Sequence, residues 1–282
     1  MALPIHVSRN GMLVSPAQAC VPVFNPAIYG AYGVYESLEV AHGCVFALEA
    51  HLQRLAHSAA LLGMARPIDA ATLELWIAEV LSANKVTECT LRLFVIGAEL
   101  GAEATVYIWP QEPIRYPEGY YTHGVPAVTF HGERFMPEAK SINTLASHLA
   151  RRRAQSLGAH EALLVHDGYL TEGANSNLFA VMNDVVITPP SGQVLSGVTR
   201  DILIQLARHH GLEVREDGLP ISGLAEWAEC FITSTSRHVM PVVTVDGTRI
   251  GGGEVGPITC QVMRLYQENF ARAIAAAQRV SC

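Results

Sequence analysis

A chain of 282 residues, half of them hydrophobic and 16% charged, can bury a sizeable core, and two domains suit that length better than one. The net charge of −7 argues against a duplex nucleic-acid surface, which needs clustered positive charge. No apolar run reaches the roughly 18 to 20 residues of a membrane span, and residues 1–10 lack a basic-then-apolar signal pattern, so a soluble cytoplasmic protein is expected.

In chain order, residues 33–40 read as a strand rich in Val, Tyr and Leu, with a His42-Gly43 turn and a return strand at 44–48. Leu52, Leu55, Ala59 and Leu62 fall at helical spacing and predict a helix over 51–62; Leu73, Trp76, Ile77 and Val80 predict another over 71–81. Residues 90–96 and 104–109 read as strands. Prolines and glycines then interrupt the pattern. Residues 113–124 read as a linker between a small α+β domain at 1–112 and a larger domain at 125–282. In the second half, strands are expected at 125–130, 161–166, 169–171, 177–181, 185–187, 230–234 and 241–245, with Asp167-Gly168 and Asp246-Gly247 as hairpin turns. Helices are expected at 143–156, 197–211 and 256–278.

The six cysteines are scattered without a Cys-x-x-Cys, and the twelve histidines show no His-x-x-x-His, so no metal site is expected. Arg151, Arg152 and Arg153 point in different directions around a helix and make no single basic patch. Lysine is scarce: only Lys85 and Lys140 occur. Lys140 opens Lys-Ser-Ile-Asn-Thr-Leu, and Glu172 stands downstream in Thr-Glu-Gly-Ala-Asn-Ser-Asn-Leu-Phe. A lysine amine can form a Schiff base, and an acidic group can keep a pyridine nitrogen protonated. Taken alone, these two residues also fit a solvated lysine and a turn glutamate. Leu195-Ser196-Gly197-Val198-Thr199-Arg200 leads into a helix and offers N–H groups and a hydroxyl to a phosphate, and Ser234-Thr235-Ser236 offers a second cradle. Each alone reads equally as an N-cap or a turn. Arg54, within an apolar helix, reads as a ligand group or as a snorkelling surface side chain.

The order of these pieces carries more than any one of them. His51-Leu52-x-Arg54-Leu55 comes first, then Lys140 with Asn143. Glu172-Gly173 with Asn177-Leu178-Phe179 follows, then Gly197-Val198-Thr199-Arg200, and last Thr235 with Pro241-Val242. This order resembles the class IV pyridoxal-phosphate aminotransferases, the group of branched-chain and D-amino acid aminotransferases and aminodeoxychorismate lyases, over residues 30–266 or so. The resemblance implies an α+β, two-domain fold type IV enzyme. It would have a small N-terminal domain and a larger domain with a mixed, barrel-like sheet. It implies pyridoxal 5′-phosphate as cofactor and Lys140 as Schiff-base lysine and proton shuttle, which must be neutral to act. Glu172 would partner the pyridine nitrogen. Arg54, Gly197, Val198, Thr199 and Thr235 would hold the phosphate, and Asn175 and Ser176 would lie near the ring. Tyr35, Ser37, Arg92 and Ser236 would meet the substrate. The implied reaction moves an amino group between an amino acid, branched-chain-like or D, and a 2-oxo acid. The implied assembly is a homodimer.

The subfamily is less sharply marked. The stretch Ser141-Ile142-Asn143-Thr144 lacks the tyrosine that branched-chain enzymes carry after their lysine. The loop at 97–103 lacks the basic residues that D-amino acid enzymes and lyases carry there. Ser37 falls where a lyase has a catalytic threonine, which keeps elimination of pyruvate from aminodeoxychorismate as an alternative, with an (R)-amine transaminase as another. Arg92 matches a carboxylate-binding arginine of branched-chain enzymes. Glu39 stands where relatives have a basic residue and would repel a second substrate carboxylate.

Overall fold

The computed structural model describes residues 4–64, 69–97 and 104–280. Two compact units emerge: Met1–Ile114, Ala139–Asn143 and Phe270–Cys282 form the first, and Arg115–Glu138 with Thr144–Asn269 form the second. Lys140 is therefore counted with the first unit, although it lies beyond the stretch read from the sequence as the linker.

The first unit opens with strands β1 (Val7–Arg9) and β2 (Met12–Val14), joined through Asn10 and Gly11, both at positive φ. These three-residue strands are too short for alternation to reveal, but Asn-Gly is the pair that a tight hairpin turn requires. A short helix α1 (Pro26–Gly30) follows, capped by Asn25, whose side chain accepts from the Ala27 N–H at 2.9 Å. Then come β3 (Gly33–Ala41), β4 (Cys44–Val45), α2 (Leu48–Leu61), α3 (Ala70–Asn84), β5 (Cys89–Ile96) and β6 (Thr105–Gln111). The expected return strand at 44–48 stops at Val45, and α2 starts about a turn earlier than its apolar spacing indicated. The sheet is antiparallel in the order β2-β1-β6-β5-β3-β4.

Period-2 alternation sorts the faces of this sheet. Val34, Leu38, Val40, Leu91, Leu93, Val106 and Ile108 share one core with Leu52, Leu55 and Ala59 of α2 and Leu73, Ile77 and Val80 of α3. Each fully buried side chain of this kind contributes roughly 1.5–3 kcal/mol. Tyr35, Ser37, Arg92 and Phe94 fall on the opposite face. Lys85 ends α3 as its left-handed C-cap residue.

The second unit holds α4 (Gly119–Thr122), β7 (Val125–His131), α5 (Leu145–Ser156), β8 (Glu161–His166), β9 (Tyr169–Gly173), β10 (Ser176–Met182), β11 (Val185–Thr188), α6 (Val198–His209), β12 (Val214–Glu216), β13 (Leu219–Pro220), β14 (Glu229–Ser234), β15 (His238–Val245) and β16 (Thr248–Arg249). Helix α7 (Pro257–Val280) ends the chain, with residues from Phe270 grouped into the first unit. The sheet is mixed: β15 pairs with β7 and β7 with β8 in parallel, and most other neighbours are antiparallel. The further pairing of β9 with β10 closes β10, β14, β15, β7, β8 and β9 into a ring. Parallel β7 and β8 need a crossover, which α5 supplies. Leu163 and Val165 enter one core with Leu178, Trp227, Ile232 and Met240, while Ala162 and Leu164 face Ala150 and Ala154 of α5. The expected start of α5 at 143 moves to Leu145, because residues 139–143 are bonded to β3 instead. Among the described residues, no helix is long and apolar enough to cross a membrane.

Candidate active site

The first unit carries the lysine. Residues 139–143 lie against the start of β3: the Tyr35 N–H donates to the Lys140 carbonyl at 3.0 Å, the Ile142 N–H donates to the Gly33 carbonyl at 2.9 Å, and Ser141 bridges Val34. Gly33 permits this approach, since a Cβ there would lie 3.0 Å from Ile142 Cδ1 and 2.7 Å from the Val95 carbonyl oxygen. The Lys140 N–H also donates to Ser58 Oγ on α2 at 3.0 Å. Its backbone is thus fixed on two sides, and Nζ stands 4.7 Å from the centre of the Tyr35 ring.

On the same sheet face, β3 and β5 pair Ser37 with Arg92 and Tyr35 with Phe94. Arg92 Nη1 donates to Ser37 Oγ. The guanidinium carbon lies 5.8 Å from both the Tyr35 and Phe94 ring centres, and those rings stack at 5.3 Å. Tyr35, Ser37, Arg92 and the Lys140 amine are therefore brought together.

Arg54 occupies the other face of β3. Its Nε and Nη2 grip the two oxygens of Glu36 at 2.8 Å each, and His51 Nδ1 meets Glu36 Oε2 at 2.8 Å. Glu36 is fully buried. Burial alone would raise its carboxyl, but the Arg54 and His51 charges and hydrogen bonds outweigh that and hold it well below the usual carboxylate range. Burial, against the pull of the Glu36 charge and aided by Arg54 and Lys140, brings the His51 imidazole below its ordinary value; because a carboxylate only accepts, Nδ1–H is the donor to Glu36. Glu36 and Ser58 were not expected from the sequence, and His51 entered there only as part of the His-Leu-x-Arg-Leu motif, without a role. The signal was present: residues 51, 54 and 58 sit on one helix face, in polar register with the apolar stripe.

The second unit carries the expected anion-binding groups. Glu172, buried on β9, has Oε1 3.7 Å from Arg134 Nη1 and accepts the Leu195 N–H at Oε2, 3.4 Å away. Arg134 was not foreseen. Asn177 Nδ2 donates to the Leu195 carbonyl at 2.7 Å, so Glu172 and Asn177 together hold the segment that enters α6. Gly197 is the N-cap of that helix, and no side chain caps it. The first-turn N–H groups at Val198 and Thr199 therefore start a helix that lacks a capping acceptor, with the positive end of its dipole beside them. A Cβ at Gly197 would run into Asn177 Oδ1 and come within 3.2 Å of Arg200 Cβ, so glycine preserves this close approach. Tyr266 donates from its hydroxyl to Thr199 Oγ1 at 3.5 Å. These groups fit a phosphate: a helix start open to an anion, a buried hydroxyl and a close-packed glycine.

Thr235 and Ser236 lie in the turn between β14 and β15, and Ser236 Oγ is 3.5 Å from the Tyr116 hydroxyl. Asn175 is exposed in the turn between β9 and β10. Ser176 turns its hydroxyl to Glu161 Oε2 at 2.9 Å. Residues 98–103 of the loop that lacks basic residues lie outside the described residues.

Comparison with known proteins matches residues 33–245 to the family model described as amino-transferase class IV. A D-alanine aminotransferase of Bacillus licheniformis is 32% identical over 278 residues, covering 94% of this chain and 97% of that protein. A crystal structure of the Escherichia coli branched-chain amino acid aminotransferase superposes with a TM-score of 0.88 at 28% identity, covering 95% of each chain. The branched-chain amino acid aminotransferase of T.th., solved with pyridoxamine 5′-phosphate, also gives 0.88, at 29% identity over 95% of this chain and 94% of that one. The family match spans strands β3 to β15, which carry nearly all the groups described above. The chain belongs to the class IV aminotransferases and has their two-domain, fold type IV architecture.

Proposed function

We propose that this transaminase moves an amino group between an α-amino acid with a non-acidic side chain and a 2-oxo acid, with pyridoxal 5′-phosphate held at Lys140. The observation that carries the substrate reading is the shared face of Lys140, Tyr35, Ser37 and Arg92 in the first unit. When bound, pyridoxal phosphate supplies an aldehyde for the amine and a sink for the electron pair left at the α-carbon. Lys140 supplies the amine that holds the cofactor and carries the proton away from the α-carbon. Glu172, fixed by Arg134 and the Leu195 N–H, places a negative charge for the pyridine nitrogen. In the second unit the Val198 N–H, Thr199 and Thr235 would hold the phosphate, and Gly197 would keep the helix start open to it; Arg54, in the first unit, has the phosphate-anchoring role that the resemblance implies. Asn175, in the turn, and Ser176, at the start of β10, would lie near the ring. Arg92, steadied by Ser37, receives the α-carboxylate, and Tyr35 and Ser236 border the side chain.

The Arg92 guanidinium on the face of Lys140 and Tyr35 supports amino acids over simple amines as donors, since it can pair with an α-carboxylate. Ser37 is engaged by Arg92, which gives its hydroxyl a positioning task in place of the proton transfer that a lyase would require. The similarity to D-alanine and branched-chain aminotransferases favours transamination over both alternatives. The free thiols at Cys20, Cys44, Cys89, Cys230 and Cys260 suit a reducing, cytoplasmic setting. A homodimer completes the reading: Met12, Val23, Phe24, Ile28 and Tyr29 present exposed apolar surface that a second copy would cover.

Borohydride reduction with the cofactor present tests the assignment. The cofactor's mass should appear on the peptide that contains Lys140. Its appearance on the Lys85 peptide, or on none, would sink the reading. A half-reaction panel with L-Leu, D-Ala, an (R)-amine and aminodeoxychorismate then identifies the donor by the fastest loss of the near-visible band.

A further inference from the structure

Arg237 is nearly buried, at 8% exposure, and its cation is turned inward. Nη2 lies 3.4 Å from Glu161 Oε2, Nη1 donates to the Asn175 carbonyl at 3.4 Å, and Nε donates to His160 Nε2 at 3.4 Å. The guanidinium carbon is 5.5 Å from the Tyr116 ring centre. Burial first, and the Arg237 charge second, lower the His160 imidazole; because an arginine Nε–H only donates, Nε2 is the acceptor in that bond. Glu161, at 1% exposure, accepts from Ser176 Oγ and from the Ala162 N–H, each at 2.9 Å.

Two turns meet at this ion pair. One joins β9 to β10 and contains Asn175, with Ser176 as the first residue of β10; the other joins β14 to β15 and contains Thr235 and Ser236. Register brings them side by side, since Asn177 opposes Thr233. Arg237 sits in the second turn, where its own N–H donates to Ser234 Oγ at 3.3 Å, and it reaches the first turn through the Asn175 carbonyl. Glu161 reaches the first turn through Ser176. Gly173 makes room for this: a Cβ there would run into Ser176 Oγ and lie 3.2 Å from Glu161 Cγ and Cδ. A buried ion pair is weak as a source of stability, because desolvation cancels much of its attraction, so its role here lies in where it places the two turns.

We propose that the Arg237–Glu161 pair is a positioning element that sets the spacing of the turns at 174–175 and 235–237 and thereby the affinity for the phosphate-bearing cofactor. This rests on the reading of Asn175, Ser176 and Thr235 as residues near the cofactor. The test uses full-length protein with pyridoxal phosphate as probe. It compares wild type, Arg237→Met and the double variant Arg237→Met with Glu161→Gln, with two readouts: melting temperature of the cofactor-free protein and cofactor Kd from near-visible absorbance.

Arg237→Met alone should melt earlier, because it leaves Glu161 buried without its cation, and should bind the cofactor about tenfold more weakly. The double variant should regain the melting temperature, having no uncompensated charge, and keep the weakened Kd. A merely structural pair predicts that both readouts recover together, and that result would overturn the proposal. So would a Kd within about twofold of wild type in either variant. If Arg237→Met does not fold, the double variant decides. A wild-type protein without saturable binding removes the reading beneath the proposal, and both fall.

Discussion

In the first unit the candidate chemistry is presented by side chains: the Lys140 amine, the Arg92 guanidinium and Arg54, each steered by β3 or a residue on it. In the second unit it is presented largely by backbone: the helix start at Gly197, Val198 and Thr199, oriented by Asn177 and Glu172. A side-chain site is lost when one residue is shortened. A backbone site survives most substitutions and is lost when a new side chain fills the space the ligand or the chain needs.

That contrast is sharpest at Lys140. Lys140→Ala should lower turnover by at least about a thousandfold, since it removes both the attachment point and the proton carrier. Lys85→Ala, at the end of α3, should leave turnover unchanged in the same assay. Turnover that survives the first substitution would end the side-chain half of the comparison.

Glu36→Ala comes next, because it strands two groups in a buried network. The expected cost is about 3–5 kcal/mol in denaturant unfolding of the cofactor-free protein. The folded carboxyl titrates below its unfolded value, so its contribution is complete above the ordinary glutamate range. It is lost progressively as pH falls through that range toward the folded value. Glu36→Gln should therefore flatten the fall of stability with acid, and an unchanged acid profile would count against the assignment.

Arg92→Gln should raise KM for the amino acid by about 10 to 100-fold, the strength of a charge-assisted bond to a carboxylate. Arg92→Lys should recover only part of this, because the fork geometry is lost. An unchanged KM would move the carboxylate elsewhere.

The backbone half breaks differently. Gly197→Ala should weaken cofactor binding about tenfold through overpacking against Asn177, a cost of roughly 1–3 kcal/mol. Val198→Ala, which keeps its N–H, should stay within about twofold. Equal effects at the two positions would show that the helix start is not read by its backbone. The smallest change is expected from Glu39→Gln, an approximately twofold to fivefold gain in kcat/KM for acidic donors, as a partly exposed charge is screened.

The elements were legible because their periodicities were clear. Alternation marked β3 and β5, a continuous apolar run marked β8, and the apolar spacing of residues 52, 55 and 59 marked α2. Of the lysines, the sequence already separated Lys140 from Lys85 through the motifs that follow it. Less legible were Arg134 against Glu172, the Glu36–His51–Arg54 network, and Arg237 with Glu161. Each joins residues far apart in the chain whose local spacing is ordinary. Glu36 shares the period-2 face of Val34, Leu38 and Val40, but no local pattern says which cation meets it there. Ser176, expected near the cofactor ring, commits its hydroxyl to Glu161, a contact that no local pattern announces.

By itself the sequence determined the family and the chain order of the segments that mark it, because the lysine, acid and Gly-Val-Thr segments must be of particular residue types. It also determined most helices and strands, whose signals are local. Only the tertiary structure decided which face of β3 each residue meets, that residues 139–143 join the first unit, and that the second sheet closes through β9 and β10. Those outcomes depend on register and on hydrogen bonds between distant segments. A single strand's pattern fixes which residues share a face, but not which partner lies across from them.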